Sequence, residues 1–225
     1  MSHPKVRCTC VLSLPYQENT YIAHLEGRRD CLVFDPGLEP DKILAALERD
    51  ELTPAALMIT HGHSDHIGGN AALKARWPQC PVVIGRRDAE KLTDARLNLS
   101  AAFGGNVLSP PADELLDEGD VYRAAGFELD VLDIPGHSAG HVVYVCRQPT
   151  PWIVLGGDVL FAGSVGRSDF PDGDHDQLVR GIWEKLFTLP EETIVLSGHG
   201  PQTTIGQEKR TNPFVGFPAG YEQAW

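Results

Sequence analysis

The sequence predicts an α/β fold, with strands and helices alternating along the chain. Three observations carry that expectation. Apolar runs of strand length recur at 55–59, 81–84, 142–146, 152–155 and 193–196, with Gly, Pro or Ser at or near their ends, as strands buried on both faces read. Two longer stretches, 39–50 and 176–187, carry their apolar residues at helical spacing instead. The alternation occurs in two halves without a low-complexity segment or linker, so the 225 residues are expected to form one domain, 1–225.

Residues 6–14 alternate loosely and predict the first strand, with 20–25 and 31–34 following across the turn Glu26-Gly27-Arg28-Arg29-Asp30. Cys8 and Cys10, two apart, are expected to share one face of that strand rather than bind a metal. Asp35-Pro36-Gly37 ends the third strand. Ile43, Leu44 and Leu47 make 39–50 an amphipathic helix, with Asp41 near its start. Strand 55–59 leads into Thr60-His61-Gly62-His63-Ser64-Asp65-His66-Ile67-Gly68-Gly69, where Ser64 is placed to cap a helix running to about Arg76. Gly68 and Gly69 weaken that helix, which close packing of its first turn against a site would justify. Strand 81–84 and a helical stretch 86–92 come next.

Residues 94–105 have two readings: the wall of a substrate pocket, or a surface helix burying Leu97 and Phe103. Strand 127–134 ends in Pro135-Gly136-His137, and 152–155 in Gly156-Gly157-Asp158. In 176–187 the residues Leu178, Val179, Ile182, Trp183, Leu186 and Phe187 form one stripe. The last clear strand, 193–196, delivers Ser197-Gly198-His199-Gly200.

Composition narrows the function. A net charge of −12 argues against a nucleic-acid partner, because such proteins concentrate Lys and Arg, although solubility alone also explains it. No apolar run is long enough to span a bilayer, so no membrane partner is expected. Met1-Ser2-His3-Pro4-Lys5 holds no apolar secretory segment, and a cytoplasmic location is expected. Five cysteines without a CxxC pair suit reduced thiols.

The stretch at 60–69 holds the chemistry. Three imidazoles and a carboxylate suit Zn, Fe and related ions. In an extended turn His61 and His63 fall on the same side, and Asp65 and His66 follow at a helix start. A strand end and a helix start can so aim four donors into one space.

This segment resembles the metal-binding motif of the metallo-β-lactamase superfamily, THxHxDHxGG, at every defined position. The resemblance implies a four-layer αβ/βα sandwich with metals at one edge of its two sheets. It also implies three later ligands, which His137, Asp158 and His199 supply. Each of these directly follows a predicted strand and sits next to glycine: the strand fixes the backbone and glycine lets it turn. By resemblance His61, His63 and His137 hold one metal, Asp65, His66 and His199 the other, and Asp158 bridges them. Two divalent metals are implied, Zn first, with Fe or Mn as alternatives. The implied reaction is attack of a metal-bound hydroxide on a carbonyl, with Asp65 or a second water handling the proton. Asp35 lies beneath the site in the family and would steady a ligand; the other reading is a turn Asp bonding its own backbone. His141 is expected in the core or on a backbone contact.

Asp158 points away from the best-known class of β-lactamases, where Cys is common at that position, and towards the glyoxalase II-like branch. The segments Phe161-Ala162-Gly163-Ser164-Val165-Gly166-Arg167-Ser168-Asp169-Phe170-Pro171 and Gly198-His199-Gly200-Pro201-Gln202-Thr203-Thr204-Ile205-Gly206 resemble short bacterial hydrolases of that branch. A metal-dependent hydrolase of a hydroxyacylglutathione-like thioester or related ester is therefore expected, with a small-molecule substrate. One departure counts against glutathione: the helical region that contacts it in full-length glyoxalase II enzymes does not follow His199. Arg167 is a candidate anchor for a substrate carboxylate, or the partner of Asp169. The alternative is a mononuclear iron persulfide dioxygenase acting on glutathione persulfide, with one Fe on His61, His137 and Asp158. That branch shares the Gly166-to-Phe170 pattern, whereas Pro171-Asp172-Gly173-Asp174-His175 looks more like the hydrolases.

Overall fold

The computed structural model describes residues 5–14 and 16–221. Residues 1–4, on which the expected location partly rests, lie outside that range. The first sheet runs in chain order through β1 (Val6–Ser13), β2 (Glu18–Leu25), β3 (Asp30–Phe34), β4 (Thr53–Ile59), β5 (Val82–Gly85) and β6 (Glu114–Leu116). Its first three strands are antiparallel neighbours. From β3 onward the pairing is parallel, which requires crossovers. The helices α1 (Pro40–Arg49), α2 (Ser64–Ile67) and α3 (Asn70–Arg76) lie in two of these crossovers.

In the second half come β7 (Val121–Ala124), β8 (Phe127–Asp133), β9 (Val142–Cys146), β10 (Ile153–Gly157), the small hairpin β11 (Leu160–Phe161) with β12 (Ser164–Val165), β13 (Ile194–Ser197) and β14 (Thr203–Thr204). The second sheet has the order β14-β13-β10-β9-β8-β7. Helix α4 (His175–Gly181), prolonged by a π-helical turn Ile182–Leu186, and α5 (Ile205–Thr211) complete the half.

Side-chain alternation explains the four layers. In β3, Leu32 and Phe34 enter the core between the sheets, while Cys31 and Val33 pack outward with Ile43 and Leu47 of α1 and Leu73 of α3. In β9, Tyr144 and Cys146 face the first sheet, while Val143 and Val145 pack with Leu178, Ile182 and Leu186. A strand covered on both faces needs apolar residues at every position, which is why these runs show no alternation in the sequence.

Four expectations are corrected. The helix expected at 64–76 is two helices. Gly69 donates its N–H to Pro36 O at 2.7 Å rather than to the helical ladder, and a Cβ on Gly68 would lie 2.5 Å from Leu38 Cδ2. The two glycines therefore pack against residues 36–38, not against the site. Ser64 does not cap the helix; His63 holds the N-cap position and makes no side-chain capping bond. In 94–105 only a 3₁₀ turn, Ser100–Phe103, forms, and Leu97 and Phe103 are exposed rather than buried. Strands β6, β7, β11, β12 and β14 and helix α5 were not expected. Among the described residues, no helix is long and apolar enough to cross a membrane.

The sheets are tied together at one edge. Tyr144 donates its hydroxyl to Ile59 O at 2.8 Å, and Val142 N–H bonds Thr60 O at 2.9 Å. From the first sheet, Asn19 donates Nδ2 to Ser197 O at 3.0 Å and Gly200 O at 2.8 Å, and Tyr21 OH reaches Ser197 O at 3.0 Å. These bonds bring the ends of β4 and β13 to the same place.

Candidate metal centre

All seven expected side chains meet at that edge. His61 and His63 follow β4, Asp65 and His66 open α2, His137 follows β8, Asp158 follows β10 and His199 follows β13. Three groups have donor atoms within 4.8 Å of one another: His61, His63 and His137; His61, His66 and Asp158; Asp65, His66 and His199. Asp158 lies between them, with Oδ1 3.5 Å from His66 Nε2, and Oδ2 3.5 Å from both His137 Nε2 and His199 Nε2. His199 Nε2 is also 3.4 Å from Asp65 Oδ2.

A bond at the far nitrogen orients most of these rings. His137 Nδ1 donates to Arg167 O at 2.8 Å, and His199 Nδ1 lies 3.1 Å from Tyr16 O. His66 Nδ1 is 3.1 Å from Asp35 Oδ2, and His61 Nδ1 is 3.1 Å from Thr60 Oγ1. Such bonds turn Nε2 towards the cluster, where it can act as a ligand; there His137 Nε2 also lies 2.9 Å from His63 Nδ1. Asp35 bonds beyond its own turn, to Thr60 and His66. Its carboxylate accepts Thr60 N–H at 2.8 Å and Thr60 Oγ1–H at 2.7 Å while holding His66. His141 is buried, stacks on His61 and accepts the Asp158 N–H at Nε2 (3.0 Å), the expected backbone contact.

The donor set fits a cation. His61 Nε2, His63 Nε2, His66 Nε2 and Asp158 Oδ1 are buried without a hydrogen-bond partner. Each such atom costs about 1–3 kcal/mol when nothing satisfies it. Burial, reinforced by neighbouring imidazoles, pushes His61 and His63 well below the ordinary imidazole range, so both are neutral, the ligating form. Burial opposes charge on His66 and His199 too, but Asp158 and Asp65 outweigh it. His66 is held well above its ordinary value and His199 is pushed up to about 10. Burial likewise favours protonated Asp158, yet His66 and His199 keep it well below the usual carboxylate range. In the metal-free protein, protons on these two imidazoles balance the carboxylates. A cation must displace them, so loading is expected to strengthen as the pH is raised through the range where His199 loses its proton, which chelator competition at several pH values checks.

The sequence model of the metallo-beta-lactamase superfamily matches residues 14–199. The chain belongs to that superfamily. It is 41% identical over 202 residues to the probable metallo-hydrolase YqgX of Bacillus subtilis, covering 89% of this chain and 93% of that one. It is 34% identical over 196 residues to the hydroxyacylglutathione hydrolase GloC of Haemophilus influenzae, covering 84% and 89%. Among solved structures, the BLEG-1 B3 metallo-beta-lactamase superposes with a TM-score of 0.88 at 37% identity, over 93% of this chain and 99% of that one. TTHA1623 in a di-iron-bound form gives 0.80 at 40%, over 92% and 99%. ETHE1 from Myxococcus xanthus gives 0.77 at 29%, over 96% and 86%.

Beside the superfamily motif stands a buried charge network that sequence reasoning missed. Asp88, fully buried in the 3₁₀ segment Arg86–Thr93, accepts Gly62 N–H at 2.8 Å, Gly140 N–H at 2.8 Å and Ser138 Oγ–H at 2.5 Å. Lys91 Nζ reaches Ser138 Oγ, Asp172 Oδ2 at 2.6 Å and Asp88 Oδ1 at 3.3 Å. Asp88 thus fixes the backbone between His61 and His63 and the loop beyond His137 at once. The available signal was a charged pair, Asp88 and Lys91, at (i, i+3) directly after a buried strand. Asp88→Asn is expected to weaken binding of a divalent cation about 10- to 100-fold, measured by chelator competition. Unchanged affinity would show that the three ligands hold their places without it.

A cavity of about 400 Å³ opens above the cluster, reaching His63, Asp65, His137, Asp158 and His199. Its walls come from residues 98–103, the β11–β12 hairpin and Phe170, which places part of 94–105 at the cavity. Arg167 lines the cavity, but its fork bonds Asp169 at 2.7 and 2.8 Å and its guanidinium lies 4.4 Å over Phe170. Of the two readings for Arg167, the ion pair is the one formed. Phe170 packs edge-on against His63 and His137, at 5.0 and 5.6 Å between ring centres. It was not singled out from the sequence.

Proposed function

We propose that the chain is a metal-dependent hydrolase of small-molecule thioesters or closely related esters, using two divalent cations, Zn first. The observation that carries this reading is the overlap of three donor groups around Asp158, which offers places for two ions. The hydrolase names of the relatives at 41% and 34% identity support it, the second directly for a thioester. His61, His63 and His137 would hold one cation, Asp65, His66 and His199 the other, with Asp158 between. When bound, the cations supply an acidified water and positive charge for the carbonyl oxygen.

The chain's own residues do the rest. Asp65 faces the cavity and His199, where it takes the proton of the attacking water and returns it to the departing thiolate. A C–O bond forms, the C–S bond breaks, and the products are an acid and a thiol. Phe170 shields His63 and His137 from solvent, which strengthens the electrostatics there.

The iron dioxygenase reading draws support from ETHE1, and the di-iron-bound neighbour supports iron as a metal for such a site, although with two ions. Two imidazoles and one carboxylate suit it, and His61, His66 and Asp158 form such a trio. The trio expected from the sequence differs by having His137 in place of His66; His137 Nε2 is 3.5 Å from Asp158. Elemental analysis of protein purified without added metal, followed by a panel of thioesters, a β-lactam and glutathione persulfide, separates the readings. About two divalent ions per chain with thioester cleavage is the expected result. One Fe per chain with oxygen uptake on the persulfide overturns it.

A further inference from the structure

We infer that the substrate carries an apolar group, aryl or branched alkyl, beside its scissile carbonyl, and no carboxylate within reach of the cavity wall. This rests on the hydrolytic reading above and goes on to the substrate class. The cavity is lined by Tyr16, Leu99, Phe103, Phe161, Val165 and Phe170. Tyr16 is 45% and Phe103 64% exposed, and the two rings meet edge-on at 6.3 Å across the rim. Aromatic surface left open beside a reactive centre is what an apolar ligand covers.

That wall is built, not incidental. Leu99 adopts φ +69°, a left-handed conformation that costs a branched side chain free energy. Gly104 closes the same turn at φ +77°. Fully buried Asn98 holds it in place. Its Nδ2 donates to Lys91 O at 3.1 Å and Val107 O at 2.8 Å, and its Oδ1 accepts Ser100 N–H at 3.0 Å and Oγ–H at 2.7 Å. Its carbonyl accepts the Ser64 N–H at 3.0 Å, tying the wall to the first turn of α2. The Leu99 side chain is therefore presented to the cavity by a rigid frame.

Charge points the same way. Apart from the cluster imidazoles, Arg167 is the one cation among the lining residues, and Asp169 engages its fork. Asn98 has no donor left, and Lys91 is neutralised by Asp88 and Asp172. Among the described lining residues a carboxylate would meet only the Tyr16, Ser64 and Ser164 hydroxyls and the outer Nη1 of the already paired Arg167, whereas glutathione presents a carboxylate at each end and the chain's net charge is −12. A half-buried carboxylate without a charged partner of its own is disfavoured.

The test uses metal-loaded full-length protein and a series of thioesters. Phenylacetyl and lactoyl groups are compared on one neutral thiol, N-acetylcysteamine, with an S-benzyl thioester of acetate to place the apolar group on the other side. The better of the two apolar compounds is expected to exceed the lactoyl compound in kcat/KM at least about tenfold. Phenylacetyl glutathione is expected to be slower than its N-acetylcysteamine counterpart. Leu99→Gly keeps the turn, because glycine accepts φ +69°. It is expected to lower the preference about tenfold with metal content unchanged. Lactoyl turnover equal to or above both apolar compounds overturns this inference and leaves the hydrolase standing. No cleavage of any thioester by two-metal protein overturns the hydrolase itself. A preference that survives Leu99→Gly and Phe103→Ala together also overturns the inference.

Discussion

Asp158→Asn is expected to lower thioester kcat/KM by about 10³-fold or more, equivalent to about 4 kcal/mol of barrier, and to reduce bound divalent metal from two per chain to one or fewer. Among the described residues, Asp158 lies within 3.5 Å of His66, His137 and His199 at once. Asparagine keeps the shape but removes the charge and turns an N–H₂ towards one of the two ion positions. The loop itself has an independent hold, since Asp158 N–H bonds His141 Nε2 at 3.0 Å. The metal-free variant should therefore fold, and metal analysis with circular dichroism separates lost ligation from lost structure. Two tightly held ions together with a tenth or more of wild-type turnover would remove Asp158 from the bridging position.

Much of this architecture was legible because burial leaves a mark on the sequence. Residues 55–59 and 142–146 are apolar at every position, and 194–196 likewise, since both faces of their strands are covered, and runs this short and apolar suit a central strand. The site was legible for another reason: a His or Asp next to glycine, just past such a strand, has little else to do than project from the sheet edge. What stayed hidden is what depends on partners far along the chain. Glu114–Leu116 and Thr203–Thr204 are strands because a neighbour offers its backbone, not because their side chains alternate. Thr204 caps α5 by accepting Gln207 N–H, a signal present in the sequence but overshadowed by the chemistry of His199.

The break at Gly68 and Gly69 was foreshadowed by their low helix propensity. Its cause is the chain at 36–38, which no local pattern points to. Asp88 is the clearest omission. A charged residue in a polar stretch reads as surface, and only the fold shows that three donors from two distant loops converge on its carboxylate.

Gly198→Ala should damage the centre almost as severely with no change of charge. A Cβ at this position overlaps Asp158 Oδ1 and lies 2.7 Å from His66 Cε1. The backbone has no room to retreat: Gly198 N–H bonds Gly157 O at 2.8 Å, and its carbonyl accepts the Asn19 N–H at 2.7 Å. The ligands must move instead, so affinity for the cation on Asp65, His66 and His199 is expected to fall about 100-fold or more, and kcat/KM with it. Misplaced ligands cost of this order even when every donor atom is present. Gly200→Ala is the control. Gly200 has φ +73° with nothing within 4 Å of an added Cβ, so alanine there costs stability, about 1–2 kcal/mol, without touching a ligand. Chelator competition and thermal melts on both variants distinguish the cases. If Gly198→Ala keeps full metal affinity, the cluster tolerates displacement by a methyl group, and the close fit around Asp158 is not what organises the centre. If both variants lose metal equally, the loop's backbone conformation, rather than the contact with Asp158, carries the effect.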